Sequence, residues 1–389
     1  MKTLFVNANA VLPDQTKLTN ILCEDGVIVN IKCDTSTPCD QIIDVKGNYL
    51  LAGFVDVHLH GGGGADFMDG DVDSMQLAAK THLEHGTTTL FPTTMSATWD
   101  EIENTVQVYK DFVKNKDVPI RLGGLHLEGP FLSIKMSGAQ RSDLIYTPTE
   151  EHVEFIKANK EYIKRITCAP EEDGVIAMVK ELLPYGISFS MGHTMATYEC
   201  GEEAFNNGFS SITHCYSATS GFHKVNQKVH IGITQLAYGL DDIYVELIGD
   251  GCHVPKELLR LMLKVKGGDK ICLVTDSMRA AGTNVTESFL GAKVPENRVI
   301  IDDGVAKLPD KSFFAGSIAT MDIALRFAVQ KAGVPIEVVS KLISLNPAKL
   351  MGLDKQIGSI EQSKLADFVV ADKDLNIKDV YVNGVSIYK

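Results

Sequence analysis

The chain has 389 residues, 44% of them hydrophobic and 22% charged, with a formal net charge of -13. This composition excludes a disordered chain, and the length exceeds one ordinary compact core while suiting an α/β barrel with a small second domain. The acidic balance excludes broad capture of nucleic acid or an anionic membrane, because phosphate neutralisation needs clustered cations; a small anion can still be met in a local pocket.

The first apolar stretch breaks at Asn7 and Asn9, too early for a secretory segment. No run reaches the length of a membrane span. The 8 cysteines form neither a C-x-x-C pair nor a dense framework. Reduced thiols and a cytoplasmic protein are the expectation.

Residues 1–52 carry short β runs at 3–6, 21–23, 27–31 and 41–45, with turn signals at Asp25-Gly26 and Lys46-Gly47. From Gly53 the pattern changes. Runs rich in β-branched and apolar residues at 54–60, 87–92, 121–128, 165–170, 187–193, 211–215, 244–250 and 271–276 alternate with helical periodicity, including 73–84, 149–158, 175–183, 198–206 and 256–266. Eight β runs separated by helices favour a closed (β/α)8 TIM-type barrel over a doubly wound sheet, which usually has fewer strands and a glycine-rich first turn. Residues 284–310 read as a β excursion after the eighth strand, with runs at 293–294, 298–301 and 304–308. Beyond Gly352, runs at 358–360, 368–371 and 377–382 and the Asn383-Gly384 turn resume short strands. The two ends are expected to pair into a small β-sandwich, 1–52 with 353–389, into which the 53–352 barrel is inserted.

In such a barrel the reactive side chains stand at the C-terminal ends of strands, and six metal-type residues fall there. His58 and His60 share one side of the first strand, because strand side chains repeat every second residue. Placed just before the glycine run 61–64, the pair suits a metal better than a structural role. Glu128 ends the third strand on the same side as His126; buried there, it needs a cation or hydrogen bonds, and a salt bridge to Arg121 or Arg141 is the competing arrangement. His193 and His214 end the fifth and sixth strands. Two imidazoles and a carboxylate suit a divalent ion such as zinc, iron or manganese, with a further position open to water. Asp276 ends the eighth strand, where a carboxylate can take a proton from water and pass it on, the alternative being the N-cap of a following helix. His82 and His85 are expected on the opposite face of the barrel, His152 on a solvated helix, and 61–64 as a flexible loop. No G-x-S-x-G elbow, G-x-x-x-x-G-K-[ST] loop or H-E-x-x-H motif occurs.

The stretches His126-Leu127-Glu128-Gly129-Pro130-Phe131, Ser137-Gly138-Ala139-Gln140, Met191-Gly192-His193-Thr194, Asp250-Gly251-Cys252-His253 and Val274-Thr275-Asp276-Ser277-Met278-Arg279 resemble the N-acetylglucosamine-6-phosphate deacetylases of the amidohydrolase superfamily. The resemblance runs along nearly the whole chain, and Ala366-Asp367-Phe368-Val369-Val370 is similar to the strand that completes the sandwich in many amidohydrolases. It implies metal-dependent hydrolysis of the N-acetyl group of an amino sugar, most directly N-acetylglucosamine 6-phosphate, by a homodimer. It further implies Glu128, His193 and His214 as ligands of a principal divalent ion, with His58 and His60 joining Glu128 around a second, so that one or two ions are held. Asp276 becomes the catalytic acid/base, and substrate contacts fall on Ala139, Gln140, Ser217, Ala218, His253, Phe314, Ala315 and Gly316. The match breaks at the phosphate grip, where Ser217 replaces an expected asparagine and Val225 an expected arginine. Valine cannot pair with phosphate, which leaves Lys224, Lys228 or His230 as substitutes. An amidohydrolase for a different N-acylated amino sugar or cyclic amide, and an inactive sugar-phosphate-binding barrel, are the alternative readings.

Overall fold

Strands covered on both faces read as apolar runs, and the eight expected runs become eight parallel strands in the computed structural model, which describes residues 1–388. They are β1 Phe54–Leu59, β2 Thr87–Thr94, β3 Leu125–Glu128, β4 Ile163–Cys168, β5 Ser188–Met191, β6 Phe209–Ile212, β7 Tyr244–Ile248 and β8 Ile271–Val274. Neighbours pair in sequence order from β1 to β8. The ring is completed at its C-terminal end, where the Asp276 amide donates to the His58 carbonyl at 2.9 Å and the His60 and Gly61 amides donate to the Ser277 carbonyl at 2.8 and 3.0 Å. Closure and candidate site therefore coincide.

The outer layer includes α1 Val72–Glu84, α2 Trp99–Asn115, α3 Glu150–Ala158, α4 Val175–Leu182, α5 Tyr198–Asn206, α6 Ile233–Gly239, α7 Lys256–Lys266 and α8 Met321–Arg326. α2 shows how sequence places such a helix. Thr98 and Glu101 form a reciprocal capping box at its start, and Ile102, Thr105, Val106, Tyr109 and Phe112 recur at helical spacing and are buried against the barrel. Burying Phe112 alone contributes about 2 kcal/mol. α7 stops at Gly267, whose φ of 74° lets the chain leave the helix.

The flanks form one eight-stranded sheet in which Tyr49–Ala52 pairs with Phe368–Ala371, so both ends of the chain share it. Lys2–Val11 changes parallel partner along its length: Thr3–Val6 lies beside Gln41–Asp44, and Asn9–Ala10 beside Tyr49–Leu50. An irregularity between Phe5 and Ala8, where Asn7 has a φ of 54°, marks the change. A strand that switches partners at a bulge lets one sheet turn over on itself. Its core buries Phe5 edge-on to Phe368 and Tyr381 at 5.2 and 5.0 Å between ring centroids. The Asp25-Gly26 and Asn383-Gly384 turns have positive φ at both residues, 49° and 80° and then 49° and 75°, as tight hairpins require.

Two expectations are corrected. Residues 358–360 form no strand: Gly358 has a φ of 91°, and a Cβ there would stand 2.8 Å from the Ala348 Cβ, while Ile360 is buried in the sandwich core. Nor is 293–294 a strand, because Pro295 opens a single turn at Pro295–Asn297. The excursion is instead a three-stranded antiparallel sheet of Glu287–Phe289, Arg298–Asp302 and Val305–Lys307. Among the described residues no helix is long and apolar enough to cross a membrane, and the 8 cysteines are free.

Candidate metal centre and active site

His58 lies in β1 and His60 one residue past its end, Glu128 ends β3, and His193, His214 and Asp276 follow β5, β6 and β8 by two residues each. The last three hold positive φ, at 47°, 28° and 47°. Non-glycine residues pay of order 1–2 kcal/mol for that conformation, and three such residues at one cleft are strain placed where side chains must turn inward.

Glu128 is the hub. Its Oε1 lies 2.8 Å from His214 Nε2, 3.2 Å from His193 Nε2 and 3.4 Å from His58 Nε2; its Oε2 lies 3.4 Å from His60 Nε2. Asp276 Oδ1 stands 3.2 Å from His60 Nε2 and 3.6 Å from His58 Nε2. These six side chains are all buried. The competing salt bridges do not form, since Arg121 pairs with Asp367 and Arg141 with Asp143.

The donor set tests whether a cation fits. His193 Nδ1 faces the Met136 carbonyl at 2.8 Å and His214 Nδ1 the Ser217 carbonyl at 3.1 Å, and a carbonyl can only accept. Each ring therefore donates Nδ1–H to its carbonyl and turns Nε2 to the Glu128 carboxylate, so that positive charge, whether a proton on Nε2 or a metal ion bound by it, is called for between them. His58 Nε2 is buried without a hydrogen-bond partner and aims at the same carboxylate. Two groups, His58, His60 and Glu128, and Glu128, His193 and His214, each bring three ligand atoms within 4.8 Å of one another. The residues fit a divalent ion.

Electrostatics agree. Burial pushes the Glu128 carboxyl up, but the attraction of His58 and His193 and the His193 and His214 hydrogen bonds outweigh it and hold it well below the usual carboxylate range. Asp276 is likewise lowered, burial being overcome by the charge of His58 and the contact with His60. It is thus ionised at neutral pH and able to accept a proton. Burial would lower the His58 pKa, yet Glu128 and Asp276 raise it well above the ordinary value. The two carboxylates demand positive charge at this point, which a divalent ion also satisfies.

Above the cluster opens a cavity of about 320 Å³ lined by Ala139, Gln140, Ser217, Ala218, His253, Phe314 and Gly316 among others. Gln140 is fixed from both ends, accepting from the Ser96 amide at 2.8 Å and donating to Glu128 Oε2 at 2.8 Å. His253 is held by Asp250 at 2.7 Å and packs edge-on to Phe314 at 4.7 Å. Ala315 does not line the cavity; it is buried among Met95, Met278 and Leu290. Met95, Tyr216, Ile248, Leu290 and Phe313 line it without having been singled out from sequence. No local motif marks them, because they reach the cavity from separate loops and strand ends.

His82 lies away from its expected position. Its Nε2 meets the Gly61 carbonyl at 2.9 Å and the Ser277 hydroxyl at 3.1 Å, immediately behind the site, and burial pushes its pKa down to about 4. Residues 61–64 are correspondingly a packed turn, with Gly61–Gly62 pairing Ala65–Asp66: a Cβ at Gly62 would come within 2.9 Å of His82 Nε2. His152 is half-buried and packs at a tilt of 45° against Trp99, with ring centroids 4.3 Å apart. Lys224, Lys228 and His230 lie on an exposed two-stranded hairpin, His223–Val225 with Lys228–His230, and not in the cavity wall. Among the described residues, that wall contains no lysine or arginine.

Residues 49–387 match the model of the amidohydrolase family. The chain is 32% identical to N-acetylglucosamine-6-phosphate deacetylase of Haemophilus influenzae over 96% of its own length and 95% of that protein, and 33% identical to the Bacillus subtilis protein of the same name over 84% and 82%. Its structure is similar to that of the Pasteurella multocida deacetylase, with a TM-score of 0.91, 31% identity and 99% of each chain covered. A mutant of the Mycobacterium smegmatis enzyme, in complex with N-acetyl-D-glucosamine-6-phosphate, matches with a TM-score of 0.88, 27% identity and 99% of each chain. From the strand-end cluster to the sheet shared by both termini, the chain belongs to the amidohydrolase family, within its N-acetylglucosamine-6-phosphate deacetylase group.

Proposed function

We propose that this protein hydrolyses the N-acetyl group of N-acetylglucosamine 6-phosphate, giving glucosamine 6-phosphate and acetate. The observation that carries the proposal is the convergence of three histidine Nε2 atoms within 3.4 Å of one Glu128 oxygen, with Asp276 beside them under a sugar-sized cavity. Glu128, His193 and His214 would hold a principal ion, and His58, His60 and Glu128 a second, with zinc, iron or manganese suited to such donors. A divalent ion bound there supplies Lewis acidity for the acyl oxygen and lowers the pKa of a water molecule. Asp276 accepts the proton of the attacking water and returns it to the sugar nitrogen as the C–N bond breaks, so that the amine leaves neutral. Gln140 and His253 orient the amide and the ring, and Ser217, Ala218, Phe314 and Gly316 shape the cavity around the sugar.

The phosphate needs cations that the cavity wall lacks. A homodimer supplies them in this reading, the exposed hairpin of one copy presenting Lys224 and Lys228 to the site of the other. Residues 53–352 are the catalytic unit and the flanks its sandwich, in a cytoplasmic protein whose thiols stay reduced. The same cation-free wall favours a second reading, an N-acetylated amino sugar without phosphate. Acetate release from phosphorylated and unphosphorylated N-acetylglucosamine, each with and without chelator, decides between them. Chelator-sensitive turnover with preference for the phosphorylated sugar is expected; preference for the free sugar would replace the first reading by the second, and no turnover of either with ions bound would leave only a binding protein.

A further inference from the structure

Three of the four histidines of the cluster are anchored through Nδ1, in two ways. His193 and His214 face main-chain carbonyls, those of Met136 and Ser217. His60 Nδ1 is buried without a partner. Only His58 faces a carboxylate, Glu246 Oε2 of β7 at 3.2 Å. The other oxygen of Glu246 accepts from Arg165 Nη2 of β4, which also donates to Ser211 Oγ at 3.0 Å. Arg165 and Glu246 are both 0% exposed, so a full ion pair lies inside the barrel beneath the cluster and touches its ligands through one imidazole alone.

Such a pair gives little reason for itself in stability, since well-packed apolar residues serve a core as well or better. Its contact with His58 gives the reason. A carboxylate on Nδ1–H holds the ring in the tautomer that leaves Nε2 free, sets its rotation, and makes it a stronger ligand than an imidazole resting on a carbonyl. The freed Nε2 is the buried, unpartnered atom 3.4 Å from Glu128 Oε1. We propose that Glu246, held by Arg165, is the positioning residue that makes His58 a metal ligand, so that this pair governs the ion of His58, His60 and Glu128 and leaves the ion of Glu128, His193 and His214 untouched. The inference rests on the two-ion reading given above.

The test is a titration of metal-stripped protein with Zn²⁺ against a chelating dye, with bound ions counted by elemental analysis, for wild type, Glu246→Gln and the double variant Arg165→Leu/Glu246→Leu. The double variant removes both charges together and so avoids stranding a buried guanidinium, which the single variant does not. In both, one ion should weaken by about 10- to 100-fold, the usual cost of losing such an outer partner. The other should keep its wild-type affinity. Two ions bound by a folded variant with unchanged affinities would overturn the proposal, and so would equal weakening of both. A wild type that takes one ion only would remove the two-ion reading first, and the proposal with it.

Discussion

Glu128, His60, His193 and His214 are no more than 6% exposed at the floor of the cavity, whereas Phe222, Val225 and Val229 on and beside the outer hairpin, and Phe313 on the cavity rim, are at least 47% exposed. The floor is built from strand ends whose positions the closed ring dictates, and every side chain there is held by at least one other. The outer segments are loops whose side chains few neighbours constrain. Replacing Glu128 would strand several imidazoles, whereas Val225 stands exposed on the hairpin and can be exchanged without disturbing the core. Under the proposed function, chemistry belongs to the floor and substrate choice to the outer loops.

If that division is right, a change on the floor should abolish turnover while sparing substrate binding. Asp276→Asn keeps the shape of the side chain and removes its basicity, and kcat should fall about 10³-fold. Ion content by elemental analysis should be unchanged, because Asp276 stands outside both three-ligand groups. Turnover near that of wild type would take Asp276 out of the reaction.

Changes on the hairpin should act on KM and on oligomeric contact. Lys224→Ala/Lys228→Ala should raise KM for the phosphorylated sugar about tenfold, the scale of one lost charge-assisted hydrogen bond, with kcat nearly unchanged and the unphosphorylated sugar unaffected. Val225→Arg should move KM the other way. A KM indifferent to all three changes would show that the phosphate is met elsewhere.

A further effect is expected on stability, just behind the floor. Burial holds the His82 pKa near 4, below its ordinary 6.5. Between those values the unfolded chain binds a proton that the folded chain does not, so stability is full above pH 6.5 and falls as pH drops towards 4, by roughly 3 kcal/mol in all. Urea unfolding of wild type and His82→Gln across that window should show the wild-type curve steeper. Parallel curves would mean that His82 is protonated in the folded state.

Much of this was legible in the chain. The eight runs fell on the eight barrel strands, and the helix expected at 256–266 is Lys256–Lys266, because burial on both faces and a one-sided apolar stripe leave periodic marks. The capping box and stripe of Trp99–Asn115 were equally open to reading. Other features left weaker marks. Glu246 is a lone charge inside the apolar run Tyr244–Ile248, an oddity in sequence that has meaning only once Arg165, 81 residues away, stands beside it. His82 stands behind the site and not on the far face of the barrel, because helix direction alone does not reveal that the glycines at 61–63 fold back onto that helix.

The sequence by itself determined which residues could be ligands and that they stand at strand ends, since period and residue chemistry are local properties. Only the tertiary structure decided that Glu128 is shared among all four histidines of the cluster, that His58 alone of the four sets its Nδ1 on a carboxylate, and that no lysine or arginine among the described residues lines the cavity. Those facts depend on distances between strands far apart in the chain, which the closure of the barrel sets and no local pattern records.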